Sequence, residues 1–177
     1  MERYSEVLGL PIICADNGNK AGIIKDIVFC PKEKKIAGFE IECYSYQIKK
    51  KFVMKEDVLS LGKDALIIDN LKVIKDLKKV KDVPLIKERG SVIGLKIYTR
   101  YGEDVGVVRD VLFDFQKGIV EGVEVSDGLI QDIVKGRSLL TLLGKVEFGE
   151  ESILVEKAAV EEMIETGKGI KSIIKDI

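Results

Sequence analysis

The chain has 177 residues, 46% apolar and 33% charged, with 29 basic against 30 acidic side chains. The apolar share is enough to fill a core and excludes a disordered chain, and a net charge of −1 gives no general pull toward nucleic acid or an anionic membrane. The halves differ only mildly, with 16 basic and 13 acidic residues in 1–84 against 13 and 17 in 85–177.

The sequence has no histidine, which removes the commonest general base and the commonest transition-metal ligand. None of its serines or cysteines therefore has a histidine to pair with, and the expectation is a non-enzymatic protein with no cofactor and no metal. The three cysteines, Cys14, Cys30 and Cys43, contain no CxxC spacing. They read as reduced core or strand residues of a cytoplasmic protein. Met1 to Tyr4 is polar, and no apolar run approaches the roughly 18 residues of a spanning helix, so neither a signal peptide nor a membrane span is expected.

In chain order, Val7-Leu8-Gly9-Leu10 precedes a strand over Pro11 to Ala15, and Asp16-Asn17-Gly18 is a tight turn. Lys20 to Cys30 is a long strand with Gly22 inside it, where a glycine marks a bulge or a close backbone approach. Pro31 to Lys35 turns, and Ile36 to Tyr44 and Gln47 to Met54 form a hairpin that includes Gly38. A short turn leads through Gly62 to a last strand over Ala65 to Ile68. Asp69 to Arg89 is lysine-rich and reads as a solvated connector, with a phosphate-binding strip as the alternative. The lysines alternate with Asp69, Asp76 and Asp82 and have no interleaved aromatic, which weakens that alternative.

The pattern then starts again. Val92-Ile93-Gly94-Leu95 repeats the opening at an offset of 85. At an offset of 84, Gly102 falls on Gly18, Gly106 on Gly22, Asp110 on Asp26, Phe113 on Phe29 and Gly122 on Gly38. Gly149 follows Gly62 at 87. Ordered matches with small shifts between them indicate two homologous units of about 70 residues. Five or six short strands per unit, bounded by Gly, Pro or Asp, predict a small closed β-barrel.

The second copy departs after Ser126, where Leu129, Ile130, Ile133 and Val134 fall at helical spacing and Gly136 is placed to end a turn. A short helix is expected there in place of a hairpin strand. Glu156 to Thr166 reads as a C-terminal helix closed by Gly167. Ile170, Ile173, Ile174 and Ile177 then form one apolar face of an amphipathic tail. That tail docks on its own barrel, on a partner chain or on a membrane surface. The expected division is a first barrel at 1–70, a linker at 71–89, a second barrel at 90–156 and the helix with its tail at 157–177.

Gly9, Asp16-Asn17-Gly18, Gly22 and Asp26, with Gly94, Tyr101-Gly102, Gly106, Asp110 and Gly122 in the second copy, resemble the PRC-barrel family. That family is named for the photosynthetic reaction-centre H subunit. The late element Val58-Leu59-Ser60-Leu61-Gly62 fits the same pattern, and Tyr101 departs from it where the turn acid is absent. The stretch from Asp127 to Arg137 is similar to small sporulation-associated proteins of this type from Gram-positive bacteria. The resemblance implies a β-barrel used for protein–protein or protein–RNA contact, as in the bacterial ribosome-maturation factor. The expected function is thus a protein-binding adaptor, with an RNA- or ribosome-associated factor as the alternative. Self-association as a homodimer is open. Asp132, Arg137, Ile170, Ile173, Ile174 and Ile177 are the expected partner-binding residues. The repeat glycines, with Asp26 and Asp110, are expected to be structural.

Overall fold

The computed structural model describes residues 1–30, 33–43, 51–76, 92–126, 138–142, 146–149 and 151–165. The chain divides into two compact units. The first takes Glu2–Arg89 with Asp114–Ile119, and the second takes Met1, Gly90–Phe113 and Val120–Ile177.

The first unit opens with β1 (Glu2–Arg3) and one turn of helix, α1 (Tyr4–Val7). Then come β2 (Pro11–Cys14), β3 (Lys20–Cys30), β4 (Lys35–Cys43) and β5 (Lys51–Met54). A 3-10 turn at Lys55–Asp57 leads to β6 (Val58–Leu61) and β7 (Leu66–Ile68), and a second at Leu71–Val73 leads to β8 (Lys75–Asp76). The strands lie in the order β6-β7-β2-β3-β4-β5-β8. Successive strands are antiparallel except β2 and β7, which run parallel with Ile12 opposite Leu66. Residues 114–119 add to this unit: Ile119 pairs with Lys35, and the Ile36 N–H donates to the Gly118 carbonyl at 3.0 Å.

The second unit repeats the plan with β9 (Lys96–Thr99), β10 (Asp104–Asp114), β11 (Ile119–Ser126), β12 (Ser138–Thr141), β13 (Val146–Phe148) and β14 (Ser152–Val155). A short helix, α2 (Lys157–Glu161), and β15 (Ile164–Glu165) end the described chain. The order β13-β14-β9-β10-β11-β12-β15 matches the first unit strand for strand. The registers match as well. Ile97 lies opposite Ile153 as Ile12 lies opposite Leu66, and Gly122 opposite Thr141 as Gly38 opposite Met54.

Alternation along the strands builds each core. Ile12, Ile24, Phe39, Val53, Leu66 and Ile68 are buried in the first unit, and Ile97, Val108, Val123, Leu140, Ile153 and Val155 occupy the same places in the second. Fully burying each such side chain stabilises by roughly 1.5–3 kcal/mol. β11 is buried on both faces from Gly122 onward, so Glu124 lies inside with Val123 and Val125.

The structure departs from the sequence reading in four places. The hairpin strand expected to be replaced in the second copy is present as β12, and the three-residue offset change falls in residues 127–137, outside the described residues with the helix expected there. The C-terminal helix is shorter than Glu156 to Thr166: it stops at Glu161 because Leu139 pairs with Ile164 and Ser138 with Glu165, drawing that stretch into the sheet. The repeat also runs further than its glycines carry it, since β8 pairs with β5 as β15 pairs with β12. Finally, hydrogen bonding does not close the sheet of the first unit among the described strands; β6 and β8 are its ends.

Candidate interaction surface

The repeated glycines and acids set the shape of each sheet. Gly9 and Gly94 both have positive φ, and their N–H groups donate to Ile24 at 2.8 Å and Val108 at 2.9 Å. Gly18 and Gly102 turn the chain at φ 71° and 84°. In the first turn the Asn19 N–H donates to the Asn17 carboxamide oxygen at 2.9 Å. The second turn, where Tyr101 replaces the turn residue, uses Thr99 Oγ1 to accept from Tyr101 and Glu103 instead. A Cβ on Gly22 would collide with the Glu42 carbonyl oxygen, and one on Gly106 with that of Ser126, the equivalent atom of the other repeat. Gly38 and Gly122 likewise leave no room beside β5 and β12.

Asp26 and Asp110 perform the same local task. Each accepts the N–H of the next residue on Oδ1, at 2.8 Å from Ile27 and 2.9 Å from Val111. Asp26 also accepts the Tyr4 hydroxyl at 2.8 Å, and the Tyr4 ring tilts against Phe29 with centroids 6.2 Å apart. Asp110 is buried.

Because side chains alternate, each unit presents an outward face at four equivalent positions. In the first unit these are Pro11, Ile13, Ile23 and Ile67, all half-buried. Ile13 stands beside Ile67 across the parallel pair, and Pro11 beside Ile23. In the second unit they are Lys96, Tyr98, Val107 and Leu154, with Tyr98 beside Leu154 and Lys96 beside Val107. Lys96 Nζ sits 5.9 Å from the centre of the Tyr98 ring and 3.5 Å from Asp104. The Tyr98 hydroxyl, followed by the Asp104 carboxylate, holds the Lys96 ammonium above its ordinary pKa. One sheet face thus occurs twice, apolar in the first unit and polar-tipped in the second. Leu59 and Leu71 are further exposed leucines of the first unit.

The remaining chemistry is quiet. Burial raises the pKa of Cys14, Cys30 and Cys43, so all three stay thiols. A serine and a lysine stand three residues apart, against the expectation of no such pair, at Ser60–Lys63 and, outside the described residues, at Ser172–Lys175. Ser60 lies within β6 and Lys63 sits in the tight turn closed by Gly62 and Ala65, so no helix brings them onto one face. In the lysine-rich stretch, Lys75 pairs with Asp57 at 2.9 Å, and Asp76 is taken by Lys51 at 2.8 Å. Asp132, Arg137, Ile170, Ile173, Ile174 and Ile177 lie outside the described residues. Among the described residues, no helix is long and apolar enough to cross a membrane.

A family model described as PRC-barrel domain matches residues 1–75 and again 87–159. No curated protein matches the chain. With both repeats covered, the chain belongs to the PRC-barrel family.

Proposed function

We propose, from that membership and the duplicated outward face, that this chain is a non-catalytic cytoplasmic adaptor whose β2–β7 and β9–β14 faces bind another protein. The observation that carries the reading is the matched quartet of outward residues, Pro11, Ile13, Ile23 and Ile67 against Lys96, Tyr98, Val107 and Leu154. A sheet face that keeps apolar side chains at the surface in both copies suits protein contact. The ion pairs of Lys51 and Lys75 favour this over RNA, because a lysine already held by a carboxylate releases fewer counterions when it meets phosphate.

The test is affinity purification of the full chain from nuclease-treated lysate, beside the double variant Ile67→Glu/Leu154→Glu. Both side chains point outward, so the variant keeps the wild-type unfolding midpoint. A defined set of proteins retained by the wild type and lost from the variant supports the reading. Equal recovery by both sinks it. So does a parallel titration in which RNA binds the wild-type chain with a steep salt dependence while no protein is retained.

A further inference from the structure

Residues 114–119 form the tip of the β10–β11 hairpin, yet they belong to the first unit. β10 leaves the second unit after Phe113, and β11 rejoins it at Val120. Phe115 is 7% exposed, with its ring tilted against that of the fully buried Phe39 and centroids 6.1 Å apart. The Phe115 N–H donates to Glu2 Oε2 at 3.0 Å. Lys55 lies across the tip: its ammonium stands 5.5 Å from the centre of the Phe115 ring and donates to the Gln116 carbonyl at 3.5 Å. Its stem runs past Gly118, where a Cβ would come within 3.2 Å of Lys55 Cε. With Lys35 and Ile36 on the Gly118–Ile119 side, the tip is held by three segments far apart in the chain.

The repeat itself does not account for this anchor. At the offset of 84 the first copy has Pro31 where the second has Phe115, and Lys34 where it has Gly118. Proline has no aromatic ring to bury, and Lys34 holds φ 54° where Gly118 takes φ 71° without strain. The two copies thus agree at the glycines and core residues that build the sheets and differ at the residues that fasten this tip. A buried phenylalanine also brings more apolar area to a core than any other side chain of the tip.

We propose that this hairpin is a latch: the core of the first unit opens when Phe115 withdraws, and Phe115 withdraws when β10 and β11 lose their places in the second unit. Backbone continuity is the reason. β10 is one strand from Asp104 to Asp114, paired with β9 through Gly106 and Val107, and Phe115 follows directly on its far end. β11 is one strand from Ile119 to Ser126, paired with β12 from Gly122 to Val125. Those ladders order both arms of the hairpin, so seating Phe115 against Phe39 costs little further ordering, and loosening either ladder removes that advantage. The latch is separate from the adaptor reading and holds whatever the outward faces bind.

The cysteines supply the reporter, because Cys14, Cys30 and Cys43 all lie in the first unit. Cys14 is fully buried on β2, two strands away from Phe39 on β4 in the sheet order, so its alkylation reads opening of the core and not the gap left beside Phe39. The measurement is the rate at which N-ethylmaleimide alkylates Cys14 in the full native chain, resolved from Cys30 and Cys43 by peptide mass spectrometry. Phe115→Ala raises that rate by at least about a hundredfold, and Phe115→Leu, which keeps an apolar side chain, by about tenfold. Ile153→Ala empties a fully buried position of the second unit and, with Phe115 in place, raises the Cys14 rate by about tenfold. Added to Phe115→Ala it raises the rate by less than about twofold, because the latch is already released. Cys14 rates within about twofold of the wild type in both Phe115 variants overturn the proposal. So does an Ile153→Ala chain whose Cys14 rate is unchanged, or one in which the effect is the same with and without Phe115.

Discussion

Gly22→Ala tests the close approach on which the first sheet depends. A Cβ at this position would lie 3.0 Å from Cys43 Cα and closer still to the Glu42 carbonyl oxygen. Both obstacles are backbone of β4, which is held by β3 on one side and β5 on the other, so no flexible side chain can swing aside. Relief requires β3 and β4 to separate where Gly22 faces Cys43 and Ile23 faces Glu42. Overpacking of this kind costs about 1–3 kcal/mol, and weakening a ladder hydrogen bond adds roughly 1 kcal/mol, giving about 3 kcal/mol in all. Gly9→Ala is the internal control. It meets nothing within 4 Å and suffers only from its φ of 81°, so it costs about 1 kcal/mol. Urea unfolding of the full chain, followed by circular dichroism, separates the two. With a slope of about 2 kcal/mol/M, Gly22→Ala moves the midpoint down by about 1.5 M and Gly9→Ala by about 0.5 M. Equal shifts, or a larger one for Gly9→Ala, would refute the close-approach account.

Three further outcomes are expected. Lys34 holds φ 54° at the position where the second repeat has Gly118, so Lys34→Gly raises stability by about 0.5–1 kcal/mol in the same urea assay. Asp110→Ala removes a buried acceptor and leaves the Val111 N–H without it, which lowers stability by about 1–3 kcal/mol, whereas Tyr4→Phe, at a half-buried bond to Asp26, costs about 1 kcal/mol. The Lys117 N–H, then its ammonium, holds the Asp114 carboxyl below its ordinary pKa. A lowered folded-state pKa means that this carboxylate's contribution is complete above the unfolded value and disappears as pH falls through the folded one. Asp114→Asn therefore flattens the stability profile below about pH 4 and leaves the wild-type slope above it, as read by denaturation at stepped pH.

Much of this fold is legible in the sequence because the chain states it twice. A lone Gly22 says little, but Gly22 and Gly106 at the same distance from Gly38 and Gly122 mark one close crossing of strands used in both units. β8 and β15 are not legible. Lys75-Asp76 and Ile164-Glu165 share no side-chain pattern, and what pairs them with β5 and β12 is backbone hydrogen bonding, which any sequence without proline provides. The C-terminal helix was overread for a related reason: Met163 and Ile164 extend the helical stripe, yet the open side of β12 takes up Ile164 first. Of the outward face, only its apolar members could be guessed. Burial and register decide which of Ile12 and Ile13 points out, and the strand alone gives either answer.

The parallel pairing of β2 with β7, and of β9 with β14, bears on how the molecule is made. The earliest long-range partner of each repeat is also among the last parts of it to leave the ribosome. Until Leu66 to Ile68 emerge, Ile12 has a neighbour on one side only, and the nascent sheet exposes an unfinished border. Such a topology assembles slowly and late, repeat by repeat, and a stop codon placed after β5 yields a sticky fragment instead of a smaller stable domain.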